Sequence, residues 1–145
     1  MLQKLVHTDN SKTTILVRLM VGAVFFSEGI QKYLFPDTLG AGRFTKIGLP
    51  SPEFLGSFVG FFEILCGALI LIGLFTRLAS IPLIIIMLVA MATTKAGVLK
   101  NDGFWEMLHG SRTDWAMLLG GIFLLIEGSG NWAIDNKLYA NGREK

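Results

Sequence analysis

The sequence predicts an all-α fold, an integral membrane bundle of four transmembrane helices. Three observations carry that expectation. Of 145 residues, 52% are hydrophobic and 17% charged, shifted toward lipid from the ~45–50% apolar and ~25% charged of soluble domains. The apolar residues gather in four runs, about 13–35, 53–76, 77–95 and 113–133, and a hydrocarbon core of ~30 Å takes about 20 helical residues to cross. The few charges inside these runs share faces with glycines at helical spacing, as expected of a polar seam between packed helices. Residues 1–145 read as a single membrane domain.

Residues 1–12 are polar and read as a tail or a brief interfacial helix. Lys4 and Lys12 precede the first apolar run, but Arg18 interrupts it and no A-x-A-like site follows, so the run reads as an uncleaved span rather than a signal peptide. Within it Arg18, Gly22, Phe25, Gly29 and Lys32 fall on one helical face, with Glu28 beside them. An ionised group near mid-membrane costs at least ~2.5–3.5 kcal/mol, so these charges are expected to face other helices or a wet cavity. Phe35-Pro36 ends the span, because proline cannot continue a helix and biases its predecessor away from one.

The loop 36–51 is punctuated by glycine and proline but keeps Leu39, Phe44, Ile47 and Leu49, which predicts that it folds back onto the membrane surface. The second span opens with Ser51-Pro52-Glu53, a capping serine, proline at the first helical position and an acid at the positive helix end. Glu63 is its one internal charge and shares a face with Gly56, Gly60 and Gly67. Small residues let helices approach closely in lipid, so this face is expected against another helix.

Residues 73–77 form a tight turn into the third span, which has no charge between Leu78 and Thr94 and reads as lipid-facing. Residues 95–112 form a second polar loop on the same side as 36–51. Ser111 and Asp114 read as a capping pair for the fourth span. Trp115 and Trp132 would lie ~26 Å apart along one helix, matching tryptophans at two bilayer interfaces. Gly128 and Gly130 loosen the end of that span.

Composition also excludes some functions. Net charge is +2 and Lys/Arg form no block, so nucleic-acid binding lacks an electrostatic footprint. Cys66 is the single cysteine, which rules out dithiol chemistry within one chain and reads as a packing residue. Glu106 and His109 have the E-x-x-H spacing of di-iron bundles, but in one copy and in a loop, so no metal site is expected.

Two readings of Arg18 and Glu63 stand side by side. One is a buried ion pair that fixes helix register; the other is a site that binds a head group or relays its protons. Glu28 and Lys32, spaced i, i+4 in the favourable order, read as an interfacial pair with Lys32 snorkelling to head groups. A gate toward the seam is the alternative. Four spans place both termini on one side, where seven of the 13 Lys and Arg lie against six opposite. The short 73–77 turn and the tails favour cytoplasmic termini.

Taken together, three segments resemble the DoxX family of small four-span bacterial membrane proteins. They are R-x3-G-x2-F-x3-G-x2-K (Arg18, Gly22, Phe25, Gly29, Lys32); G-x2-E-x3-G with L-x-G-L-x-T-R (Gly60, Glu63, Gly67, Leu71, Gly73, Leu74, Thr76, Arg77); and G-x-G with a nearby aspartate (Gly128, Gly130, Asp135). Glu28 departs from the small or apolar residue expected before Gly29. The resemblance implies a bacterial cytoplasmic (inner) membrane location and links to thiosulfate:quinone oxidoreduction, thiol oxidative stress or complex assembly. It supplies no catalytic residues.

On these grounds the chain is expected to be an accessory membrane subunit linked to oxidoreduction, quinone- or thiol/sulfur-linked. It carries no haem, flavin or iron–sulfur motif, so a redox centre would sit in a partner. The expected small-molecule site is Arg18, Glu63, Lys32, Glu28 and Arg77, with a quinone as possible occupant. Partners would be membrane lipid and either an oxidoreductase subunit or further copies of the chain. The alternative is a non-catalytic scaffold or assembly factor that uses the two polar loops. A carrier ranks below both, because the chain shows no inverted repeat.

Overall fold

The structure, a computed structural model, describes residues 11–141, with side chains as far as Leu138. All regular structure among these residues is helical. Helices α1 (Thr14–Leu34), α3 (Pro52–Ile72), α4 (Thr76–Asn101) and α6 (Arg112–Glu127) form the bundle, and the short α2 (Ala41–Lys46), α5 (Phe104–Gly110) and α7 (Ile134–Asn141) lie in the connections and at the end. Helices α1, α3 and α4 are each long and apolar enough to cross a membrane. The 16 residues of α6 reach about 24 Å.

The bundle closes as a ring in which α1 packs on α3, α3 on α4, α4 on α6 and α6 on α1. The α1–α3 pair is the tightest. A Cβ added at Gly29 would sit 2.7 Å from the Gly60 carbonyl oxygen and 2.8 Å from the Ile64 nitrogen; one at Gly67 would sit 2.7 Å from the Phe26 nitrogen. The glycine faces of the two spans therefore meet backbone to backbone, as small residues allow in lipid. A core of Val21, Phe25, Cys66, Ile70, Leu83 and Leu124 fills the centre. Buried residues of α4 end at Met87, while Leu78, Ile81, Ile85, Leu88 and Val89 are exposed, in keeping with a lipid-facing third span.

Three boundaries differ from the sequence reading. Helix α3 stops at Ile72 instead of 76, because Gly73 turns left-handed at φ 70°. Helix α4 runs to Asn101 instead of 95, because no breaker intervenes before Asp102 and Gly103, whose φ of 92° cannot be helical. Helix α6 stops at Glu127 instead of 133, because Gly128 turns to φ 85°. Trp132 thus lies beyond the helix, and Trp115 and Trp132 do not mark two ends of one span. Neither predicted serine cap forms. Ser51 sits in the left-handed region (φ 47°), not the extended one that aims a side chain at first-turn N–H groups. Ser111 Oγ donates to the Leu108 carbonyl (3.2 Å), while Asp114 pairs with Lys95. The tail reading for residues 1–12 falls mostly outside the described residues.

The loop after α1 does fold back. Helix α2 lies on the start of α3, where a Cβ at Gly56 would come within 2.9 Å of the Ala41 nitrogen. Both polar loops thus sit at one end of the bundle, opposite the 73–77 turn.

Candidate functional site

The charged residues of the seam separate into two centres at opposite ends of the bundle. The first surrounds Arg18, which is 2% exposed. Its Nε donates to the Ile70 carbonyl (2.9 Å) and Nη2 to that of Leu71 (2.6 Å); Nη1 donates to Ser129 (3.2 Å) and Trp132 (2.7 Å). The last carbonyls of a helix have no intrahelical partner and form its negative end. No water inside a bilayer could satisfy them. One guanidinium therefore terminates α3 and ties the segment after α6 to it.

Asp135, also 2% exposed, completes this centre. Its Oδ1 accepts from the Phe75 N–H (2.7 Å), its Oδ2 from the Thr76 N–H (3.0 Å), and its own N–H donates to the Gly73 carbonyl (2.9 Å). It caps the N-terminus of α4 from another part of the chain. Gly73 is left-handed at φ 70°, and a Cβ there would lie 2.8 Å from the guanidinium carbon of Arg18. Arg77 follows in the first turn of α4. The motif residues Arg18, Gly73, Thr76 and Asp135 thus belong to one structural knot, and Gly130 packs against Thr14, one turn before Arg18 on α1.

The expected opposition of Arg18 and Glu63 is not found. Antiparallel register sets Arg18 beside Ile70 and Leu71, seven residues or about 10 Å along α3 from Glu63. The partner of Glu63 is Lys32, with Nζ 2.6 Å from Oε2 and side chains only 9% and 5% exposed. That also corrects the Glu28–Lys32 reading: Lys32 turns inward across the helix pair rather than out to head groups. Glu28 makes no ion pair among the described residues.

Lys32 and Glu63 line a cavity of about 420 Å³ at the loop end, within the ~300–1,000 Å³ of small-molecule pockets. Glu28, Arg43 and Asp114 add charged groups to its wall, and Phe25, Phe44 and Phe58 add aromatic ones. Arg18 and Arg77 are not part of that wall, so the five expected site residues divide three and two between the centres. Glu28 and Arg43 both act electrostatically on Glu63. At the rim, Lys95 Nζ meets Asp114 Oδ2 (3.0 Å) and donates to the Gly110 carbonyl (2.7 Å), tying α4 to the second loop.

Sequence reasoning missed Arg43, Lys95 and Asp114, which lay in or beside loops. The one signal available was the apolar pattern Phe44, Ile47, Leu49 inside a polar stretch, since these side chains roof the cavity. Glu106 and His109 are exposed on α5, and Arg112 Nη1 donates to His109 Nε2 (2.6 Å). Cys66 is buried in the core. Chemically, the cavity offers a hydrogen-bond donor and an acceptor side by side in apolar walls.

The family model DoxX matches residues 13–96. The chain is 48% identical to "Uncharacterized membrane protein Rv3486" of Mycobacterium tuberculosis (strain ATCC 25618 / H37Rv), over 93% of this chain and 86% of that protein. It is 29% identical to "Putative oxidoreductase CatD" of Bacillus subtilis (strain 168), over 84% of each. No solved structure matches.

Proposed function

The chain belongs to the DoxX family of membrane proteins, and from that premise we propose that it is an accessory subunit linked to oxidoreduction that holds a lipid-soluble, quinone-class molecule at its loop end. The observation that carries the proposal is the Lys32–Glu63 pair, buried at 2.6 Å in the wall of a 420 Å³ cavity whose other lining residues are mostly apolar. A head group with both a carbonyl and a hydroxyl could accept from Lys32 and donate to Glu63. Phe58, Ile85 and Val89 line the cavity and are also exposed on the bundle exterior, so an apolar tail has a way out between α3 and α4. The relative named "Putative oxidoreductase CatD" supports the redox link. Any redox centre belongs to a different partner subunit.

The test is purification of wild type and Glu63→Gln in mild detergent, followed by mass spectrometry of extracted small molecules and by binding of decylubiquinone. A quinone-class ligand held by wild type and lost from the variant supports the proposal. Bulk phospholipid alone in both extracts, with no decylubiquinone binding, overturns it.

One observation favours a second reading. The motif residues around Arg18 and Asp135 hold helix ends together and leave the cavity untouched. Under that reading the chain is a scaffold, its two folded loops carry the partner contacts, and loop substitutions abolish recovery of a complex that cavity substitutions leave intact.

A further inference from the structure

The two ends of the bundle differ in a way that fixes how the cavity communicates with water. Along the bundle axis, the lining residues nearest the terminal end are Val24 on α1, Glu63 on α3, Ile85 on α4 and Met117 on α6. Below them Val21, Ile70, Leu83 and Leu124 are fully buried, and beneath these Arg18 is committed to four carbonyls. Among the described residues this apolar layer separates the cavity floor from the buried Ser80, Thr76 and Ser129 hydroxyls at the terminal end. Above the floor the order reverses. Glu28 and Lys32 on α1, Arg43 on α2, Glu63 on α3 and Asp114 on α6 all line the wall, and Lys95 on α4 meets Asp114 at the rim. Arg43 itself is exposed and makes no ion pair among the described residues.

Burying ionised groups without water or partners is costly. A wall with one bare carboxylate, Glu28, and one bare guanidinium, Arg43, is tolerable in a membrane when it is wet. We propose that the cavity is a one-sided aqueous vestibule: water and protons reach the Lys32–Glu63 pair from the loop side only, past Arg43 and Glu28, and stop at the Val21–Leu124 floor. This rests on the site assigned above and adds its sidedness. A proton given up by a molecule held at Glu63 leaves as hydronium on the loop side, and none crosses to the terminal side.

Thiol accessibility tests this without any ligand. In a Cys66→Ala background, Glu28→Cys and, separately, Val24→Cys are placed in vesicles of each orientation and exposed to a membrane-impermeant cationic methanethiosulfonate. Lys46→Cys and Lys137→Cys mark the two faces. The expected result is modification of both reporters from the loop face at least ten times faster than from the terminal face. Equal rates from both faces, faster modification from the terminal face, or no modification from either would overturn the proposal. Val24→Cys introduces no change of charge and carries the test if Glu28→Cys is not recovered. The outcome is independent of quinone: one-sided labelling with no quinone bound refutes the ligand and keeps the vestibule, whereas quinone binding without labelling does the reverse.

Discussion

Arg18 Nη1 donates to the Trp132 carbonyl at 2.7 Å, joining residues 114 positions apart in the chain. With the bonds to Ile70 and Leu71 it makes the start of α1 the fastening for the ends of α3 and α6. Lysine keeps the charge but presents one compact point donor in place of a planar fork. Arg18→Lys is therefore expected to lose about 2–4 kcal/mol, since each buried carbonyl left bare costs ~1–3 kcal/mol. Thermal unfolding in detergent reads the loss, and Arg18→Leu should fall further or fail to accumulate.

Asp135 is the distal counterpart of that fastening. Asp135→Asn keeps the shape, removes the charge from the positive end of α4 and leaves one of the Phe75 and Thr76 N–H groups without its acceptor. A loss of about 1–2 kcal/mol is expected from cap and dipole together. Unchanged unfolding would contradict the capping role.

The glycines can be told apart by what surrounds them. Gly29→Ala and Gly67→Ala each drive a methyl into backbone of the facing helix and should destabilise by about 1–3 kcal/mol or more, as overpacking does. Gly97, also inside a long helix, has nothing within 4 Å of an added Cβ. Gly97→Ala should be neutral or stabilising by up to ~1 kcal/mol. The same melting assay compares all three.

The two ion pairs should behave differently. Removing one partner of the buried Lys32–Glu63 pair is expected to cost ~3–5 kcal/mol, and the double variant Lys32→Met/Glu63→Leu should recover much of it. A double-mutant cycle measures that recovery; strict additivity of the single losses would argue against the pairing. Asp114→Asn breaks the pair with Lys95, whose side chains are 22% and 27% exposed, and should cost no more than ~1 kcal/mol.

Much of the fold was legible locally. Run length, Pro36, the Gly73 turn and the glycine faces at 22/29 and 60/67 each act within a few residues, so the sequence alone determined an all-α membrane bundle, its first three apolar spans and a glycine face on each of the first two; that these two faces meet each other came from the structure. The end of α6 was less legible because Gly128 in an apolar run is compatible with either a loosened helix or a stop. The same span of sequence contained Asp135 but hid its role, because its partners at Phe75 and Thr76 lie 60 and 59 residues away.

What only the tertiary structure decided was which charge meets which. Arg18 and Glu63 both sit on seam faces, and periodicity assigns a face but not the axial register between antiparallel helices. Register follows from where Gly29 meets Gly60 and Gly67 meets Phe26, and it carries Arg18 past Glu63 to the helix end while bringing Lys32 level with it. The cavity was likewise invisible along the chain, because its wall is drawn from five helices and a loop spread from Val24 to Met117. Helical faces are written in local spacing; depth, partner choice and empty volume arise only when the faces are pressed together.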